Sequence, residues 1–488
     1  MKLENPALTI DIILEIVMTV KSGLLNLFFG VCIATNLTQL ASAQNYKLTN
    51  YDFDNRPSLG QVPNENGDLT DILLGGLSGL YFEGFNGNNL RFVTHPDRGP
   101  LPFPLPDLQP EIVRFELDVI SNNITIVDRI NLVQSDGITP LSVLPNLQAG
   151  EQGTAYTDQF GVDLLGNSIP NDPLGADLEG IVIDQRDNSF WMVDEYRPAI
   201  YHFNSVGTLL NRFVPMGTAA AVNEPLGTFG TEIIPSVYAQ RRANRGFEAV
   251  ALNQDTNLLY AFIQSPIDNP DNTGDTTSRN SDILRILELD ISNPTNPLVS
   301  GQFVYLLNND LYDTNVDKIG DAVWLQDNRF AVIQRDSDLG LNASKLVFEI
   351  DLSDATNLET DVFSLVPNKT LEEHTAEELG TAGIIPVDKT FLFNLPDLGY
   401  LAGDKPEGLA LIPGKQPTFV VINDNDYGLL DDDIPGDGRQ NFNPNPIPVV
   451  VGVITPVPEP SNHALLGTIF LLGIGSIFRR YTTFVKRG

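Results

Sequence analysis

Residues 177–203 read DLEGIVIDQRDNSFWMVDEYRPAIYHF. A polar opener, Glu179-Gly180, leads into the apolar run Ile181–Ile183, and Asp187-Asn188 supplies a turn. A second apolar run, Phe190–Val193, ends in Asp194-Glu195, and a third, Ala199–Phe203, follows. Short apolar runs separated by Asn, Asp and Gly predict a β-hairpin extended by a third strand. In an antiparallel hairpin the end of the second strand returns beside the start of the first. Glu179 is therefore expected to meet Asp194 and Glu195 on one rim.

The same pattern recurs at Ser78-Gly79-Leu80, Glu248-Ala249-Val250, Asp321-Ala322-Val323 and Glu407-Gly408-Leu409. Each has a polar opener, a small residue, an apolar run, a turn, a second apolar run and a polar end. Irregular spacing places variable loops between the repeats. A repeated four-stranded unit predicts an all-β chain folded as a β-propeller. Five hairpins are read directly, and a ring of five to seven blades accommodates them. Tyr46–Phe53 alternates and is expected to complete the last blade. Expected outer strands are 112–119 and 124–132 in the first blade, 208–214 in the second, and 283–289 and 302–307 in the third. In the fourth they are 345–351 and 361–365, with 389–394 as another candidate, and in the fifth 447–454. Residues 101–110, 135–176 and 215–246 read as loops, and 371–379 as one short helix.

Both ends read as addresses. Gly23–Ala34 is apolar, follows Lys21 and precedes Ala41-Ser42-Ala43, which predicts a secretory signal over 1–43 cut before Gln44. Glu4, Asp11 and Glu15 do not suit a positive n-region, so Met18 is an alternative start. The propeller domain is expected over 44–455. Residues 456–488 contain Pro458-Glu459-Pro460, the apolar run 464–478 and Arg479-Arg480. This order resembles the bacterial PEP-CTERM sorting signal. The resemblance implies a membrane helix at about 464–478 that anchors the chain transiently in the inner membrane. It also implies an exosortase-type peptidase as a partner and release to the cell surface or medium. The only cysteine, Cys32, lies in the signal, so the processed chain has no disulfide, thiolate metal site or Cys nucleophile. A formal charge of -34 argues against nucleic acid and anionic membrane as partners and favours cations.

A ring of equivalent hairpins gathers their polar ends at one mouth of the channel. There the sequence places Glu179, Asp194, Glu195, Glu248, Asp321, Glu407, Asp424 and Asp426 as candidate metal ligands, with Asp336 nearby. His95, Asp97, Arg98, Arg197 and Arg335 are the candidate catalytic residues. Converging carboxylates repel unless protonated, paired with arginine or neutralised by a cation. Oxygen ligands without Cys suit Ca²⁺ best, then Mg²⁺ or Mn²⁺. Arg98, Arg197 and Arg335 would grip an anionic substrate, and His95 is the one histidine near the rim. Taken singly, each residue also has an ordinary structural role: a strand-start Glu satisfies backbone amides, and Asp-Asn-Asp is turn chemistry. The Asp/Asn/Gly-rich loops 268–282 and 424–437 lack EF-hand spacing. No G-x-S-x-G, H-E-x-x-H or Walker A motif is present.

Three segments together resemble a known family. They are Glu179-Gly180-Ile181 with Trp191-Met192-Val193-Asp194-Glu195-Tyr196, His95-Pro96-Asp97-Arg98-Gly99-Pro100, and Glu407-Gly408-Leu409 with Asn423-Asp424-Asn425-Asp426. From about 75 to 430 the chain is similar to the phytase-like propeller family named for esterase-like activity of phytase. The resemblance implies hydrolysis of phosphoesters or carboxylesters. By matched position it implies function at Asp97, Arg98, Glu179, Asp194, Glu195, Glu407, Asp424 and Asp426. The Asp-Ala-x-Asp-Asp-Pro-Ala signature of alkaline phytases is absent, which argues against phytate. The expectation is an exported, cation-dependent hydrolase of a small anionic ester or phosphoester. Two alternatives are a non-catalytic propeller binding surface or matrix components, and a calcium-dependent lactonase-like hydrolase.

Overall fold

Five four-stranded antiparallel sheets surround one axis, each beginning with its innermost strand. In the computed structural model the described residues are 46–457, except 100–104, 147–160, 171, 220–229, 243, 308–315, 415–416 and 431–437. The signal over 1–43, the apolar run 464–478 and the acidic run 431–433 lie outside them. Lys47–Thr455 forms one compact unit. No helix among the described residues is long and apolar enough to cross a membrane.

Blade one is Leu77–Asn86, Asn89–Pro96, Glu111–Asp118 and Asn123–Asn131. Blade two is Leu178–Asp184, Ser189–Asp194, Ala199–Phe203 and Leu209–Pro215, with Thr231–Ile234 added in parallel. Blade three is Phe247–Asn253, Leu258–Ile263, Ile283–Asp290 and Leu298–Leu306. Blade four is Lys318–Gln326, Arg329–Arg335, Lys345–Asp351 and Asp388–Asn394. Blade five is Lys405–Ile412, Thr418–Asp424 and Val450–Pro456, closed on its outer edge by Tyr46–Asp52. The N-terminal strand thus covers an edge that would otherwise expose unpaired amides.

Two expectations are revised. The outer strand of blade four is Asp388–Asn394, not 361–365. Phe363 and Leu365 instead pack with Ile283, Val304, Leu379 and Ile384, covering the outside of blade three. The stretch 371–379 is split into a 3₁₀ turn, Leu371–Glu373, and a helix, Ala376–Ala382, each opened by a threonine capping box. The sequence reading also passed over the hairpin Ser58–Pro63/Leu69–Leu73. It likewise missed the small sheet of Leu105–Pro106, Gly161–Val162 and Ser168–Ile169.

The apolar faces of neighbouring blades bury against each other. One cluster joins blades two, three and four through Trp191, Val250, Phe262, Phe330 and Phe348. Another joins blade five to blade one through Ile422, Val451, Phe92 and Phe115. At the axis the inner strands come closer than side chains allow. A Cβ on Gly180 would lie 2.7 Å from the Val250 amide nitrogen, and one on Gly408 would lie 2.9 Å from Leu80 Cβ. Gly79 carries a φ of +68°, and a Cβ there would meet the Ile181 nitrogen at 2.8 Å. The glycine after the opener is therefore the contact point between blades in blades one, two and five, whereas in blade four Gly320, before the opener, makes the approach, to the Pro406 carbonyl.

The pairing of each inner strand is interrupted at the same place: between 78 and 80, 179 and 181, 247 and 249, 319 and 322, and 406 and 408. A bulge re-aims a side chain out of the regular alternation. Here it falls on or beside every opener.

Substitution of Gly180 by Val should therefore cost about 3 kcal/mol of stability through overpacking at the axis. Gly380→Ala, where nothing lies within 4 Å of the added Cβ, should cost nothing. Chemical denaturation of the two variants measures the difference, and equal midpoints would refute the axial-contact account.

Candidate active site in the polar mouth of the channel

Glu179, Glu248 and Glu407 open blades two, three and five and are only 5, 1 and 6 % exposed. One carboxylate oxygen from each lies within 4.8 Å of the other two. Asp97, Asp177 and Glu179 form a second set with the same spacing, so Glu179 belongs to both. A cavity of about 270 Å³ opens on this ground, lined by both charges, among them Glu179, Glu195, Glu407, Arg245, Lys318 and Arg335.

The surroundings decide which carboxylates are already satisfied. Asp177 takes the Arg98 guanidinium through Nε at 2.5 Å, with the Arg98 amide at 3.3 Å. Arg335 donates to Glu407 and lies 3.7 Å from Glu248. Lys405 joins Asp424 at 2.8 Å and Asp426 at 2.5 Å. Gln264 donates to one oxygen of Glu248. Glu179 Oε2 and Glu248 Oε1 are left buried without a hydrogen-bond donor. Burial first, and then neighbouring carboxylates, push Glu179 and Glu248 well above the usual carboxylate range. Burial also raises Glu407, which Arg335 and Lys405 draw back down.

Glu195 sits in the cavity wall with Arg245 3.6 Å away. Burial and then Asp177 push its carboxyl up to about 8. Asp97 is held by neighbours on both sides. Its Oδ1 accepts from the Gly99 amide at 2.9 Å, and its carbonyl accepts from the Tyr427 hydroxyl at 2.7 Å. Burial and then Asp424 raise its carboxyl.

The remaining predicted residues fall outside the converging sets. Asp194 lies at a rim, as its register opposite Leu178 requires, but its carboxylate ties down a turn. It accepts from the amides of Asp177 and Tyr196 at 3.0 and 3.1 Å and from Asn146 at 2.8 Å, with Arg212 at 3.4 Å. Asp321, opener of blade four, accepts from the amides of Ala322 at 2.7 Å and Leu409 at 2.6 Å. The wider irregularity from 319 to 322 directs it at the backbone of the next blade. Arg197 donates to the Thr218 and Asn146 carbonyls. His95 is fully buried, 3.1 Å from the Pro96 carbonyl through Nδ1, and burial lowers it to about 4, so the ring is neutral.

Asp177, Arg245, Lys318 and Lys405 were not singled out from the sequence. Asp177 and Lys405 each stand two residues before an opener, the spacing that returns a strand residue to the same face. Arg245 lies in a loop, where no periodicity marks it.

The family model described as "Phytase-like: Esterase-like activity of phytase" matches residues 72–427. An "Uncharacterized secreted protein" of Arthroderma benhamiae is 27% identical over 364 residues, covering 62% of this chain and 69% of its own. The periplasmic gluconolactonase PpgL of Pseudomonas aeruginosa aligns at a TM-score of 0.33 and 12% identity, covering 85% of this chain and 99% of its own. An alpha-L-arabinofuranosidase from Lactobacillus brevis aligns at 0.33 and 10%, covering 78% and 91%.

The carboxylates imply a pH dependence. An unfolded glutamate releases its proton near 4.5, whereas folded Glu195 holds it to about 8. Between those values the native state binds more protons than the unfolded one, so stability falls as pH rises. Urea denaturation of the metal-free protein should show this fall between about pH 5 and 8, with a shallower slope in Glu195→Gln. A midpoint that climbs over that range would contradict the assignment.

Proposed function

Because the chain belongs to the phytase-like family, we propose that it is an exported hydrolase that cleaves a small anionic ester or phosphoester in this cavity, with a divalent cation at Glu179, Glu248 and Glu407. The observation that carries this reading is Glu179 Oε2, buried among carboxylates with no donor, beside Glu248 Oε1, whose nearby cation, Arg335, stays 3.7 Å away and donates to Glu407 instead. A buried ion without a counter-charge costs several kcal/mol, so the cluster calls for a proton or a cation. The ligands are all hard oxygens, which favours calcium over softer metals. When bound there, the cation would supply Lewis-acid polarisation of an ester carbonyl or phosphoryl oxygen.

The chain's own groups supply the rest. Glu407 is fixed by Arg335 and Glu248 by Gln264, so both carboxylates are oriented before any ligand arrives. Glu195, with its carboxyl held near 8, is poised to exchange a proton with water or a leaving group close to neutrality. Asp177 holds Arg98 at the edge of the cluster. The neutral, enclosed His95 takes no part in proton transfer.

Export is supported by the signal read over 1–43 and by the secreted description of the Arthroderma relative. The Pro458-Glu459-Pro460 segment extends this reading to PEP-CTERM-type sorting, with an exosortase-type peptidase as partner.

A chain covering 44–460 should hydrolyse p-nitrophenyl acetate or p-nitrophenyl phosphate with calcium and lose that activity on chelation. Glu179→Gln and Glu248→Gln should each lower kcat/KM on the order of 100-fold, the scale of losing metal polarisation. Calcium binding, measured by calorimetry, should weaken in parallel. Absence of turnover on both esters, or turnover indifferent to both variants, would overturn the reading.

A further inference from the structure

The cations expected to grip the substrate are already engaged. Arg98 is closed on Asp177, Arg335 on Glu407, and Lys405 on Asp424 and Asp426. Arg197 donates to the Thr218 and Asn146 carbonyls and lies outside the cavity lining. One stretch of the wall differs. Lys318, Arg245 and Ser337 line it, and Arg242 stands behind.

These cations are under-neutralised. Lys318 and Arg242 share one partner, Asp317, at 3.2 Å each, and the Asp317 side chain is 44 % exposed. A half-exposed carboxylate is well solvated and screens a buried cation weakly. Lys318 Nζ donates to Ser337 Oγ at 2.6 Å, a neutral acceptor. The carboxylate nearest Arg245 is Glu195, at 3.6 Å, beyond hydrogen-bonding distance, and Arg245 Nε is buried with no partner. Lys318 itself is 4 % exposed. Burial, and then Arg335 and Arg245, pull its pKa down to about 8, as expected of crowded cations that share a single carboxylate.

We propose that Lys318, Arg245 and Ser337, backed by Arg242, form an anion-recognition subsite that holds a carboxylate or phosphate group of the substrate separate from the bond being cleaved. As a specificity element this rests on the hydrolase reading above; as an anion site it stands on its own geometry. The cavity then has two unlike walls. Carboxylates of Glu179, Glu195 and Glu407 face the scissile bond, and cations from blade four and the loop before blade three face a charged handle. Arg245 offers a planar fork and Lys318 a point charge, a combination that fits a tetrahedral or a planar oxyanion. The substrate class that follows is an ester bearing a second, permanently anionic group, such as a half-ester of a dicarboxylic acid or a phosphorylated hydroxy acid.

The test uses the chain 44–460 stripped of metal, so that no anion can bind through a cation. Calorimetric titration with inorganic phosphate and, separately, with succinate should show one site. Lys318→Met and Arg245→Met should each weaken it at least about tenfold, the scale of a lost charge-assisted hydrogen bond, while Lys318→Arg retains it. The stronger of the two ligands identifies whether the handle is phosphate or carboxylate. With calcium restored, the ratio of KM for mono-p-nitrophenyl succinate to KM for p-nitrophenyl acetate should rise at least about tenfold in Lys318→Met. Unchanged thermal melts establish that the variants are folded; if Lys318→Met is not, Lys318→Gln takes its place. No anion binding by the wild type, or equal binding by folded variants, overturns the subsite. Anion binding that depends on Lys318, in a protein that hydrolyses neither ester, keeps the subsite and removes the hydrolase reading.

Discussion

The inner strands of consecutive blades approach until only a glycine or alanine fits between them, and everything at the polar mouth follows from that contact. Gly79 meets Gly180 and Ile181, Gly180 meets Ala249 and Val250, and Gly408 meets Leu80. A neighbouring bulge in each strand turns the preceding residue away from the sheet. With the strands this close, three openers that are glutamates have no choice but to share one buried space. The electrostatic difficulty is thus a consequence of the packing, and any ligand chemistry is its relief.

The structure relieves the periphery and leaves the centre. Asp177, Asp424 and Asp426 meet a basic side chain directly. Asp194 and Asp321 are absorbed by backbone amides, which makes them fasteners of a turn and of a blade junction. The other end of the channel carries no such difficulty. There the same five strands line a cavity of about 400 Å³ with Leu80, Val182, Val250, Ala322 and Leu409. The buried carboxylates gather at one mouth because strand alternation resumes after each bulge and mainly apolar residues line the channel beyond it, where Glu83 is paired with Arg114.

Much of the ring could be read from the chain because its signals are local. Opener, small residue, apolar run and turn are contiguous in sequence, and the alternation of Tyr46–Asp52 marks it as a strand wherever it pairs. Blade four's outer strand was harder. Residues 361–365 and 388–394 are both short runs with two or three large apolar residues, and only the presence of Ile283, Val304 and the helix Ala376–Ala382 explains why the first covers a neighbouring blade instead of pairing. The site divides in the same way. Glu179, Glu248 and Glu407 were legible because recurrence at one position of a repeat implies one place in space. Their divergence from Asp321 was not, because it depends on how far one bulge extends. Arg245 and Lys318 acquire meaning only when loop and strand are brought side by side.

Protons and cations compete for the same carboxylates, and this ties the cluster's chemistry to its stability. In the absence of metal, burial and mutual repulsion keep Glu179 and Glu248 protonated into a range where exposed glutamates are ionised. Each proton held in this way marks a position that a divalent ion can take over, and rising pH strengthens the ion's claim. Glu195 differs from them in one respect. It faces Arg245 across 3.6 Å and lines the cavity, so its proton can exchange without disturbing the glutamate triad. On the proposed reading, binding and proton transfer fall to neighbouring carboxylates with different partners. Such a separation of two acidic roles by environment is what would let one acidic mouth both hold a cation and act as an acid or base.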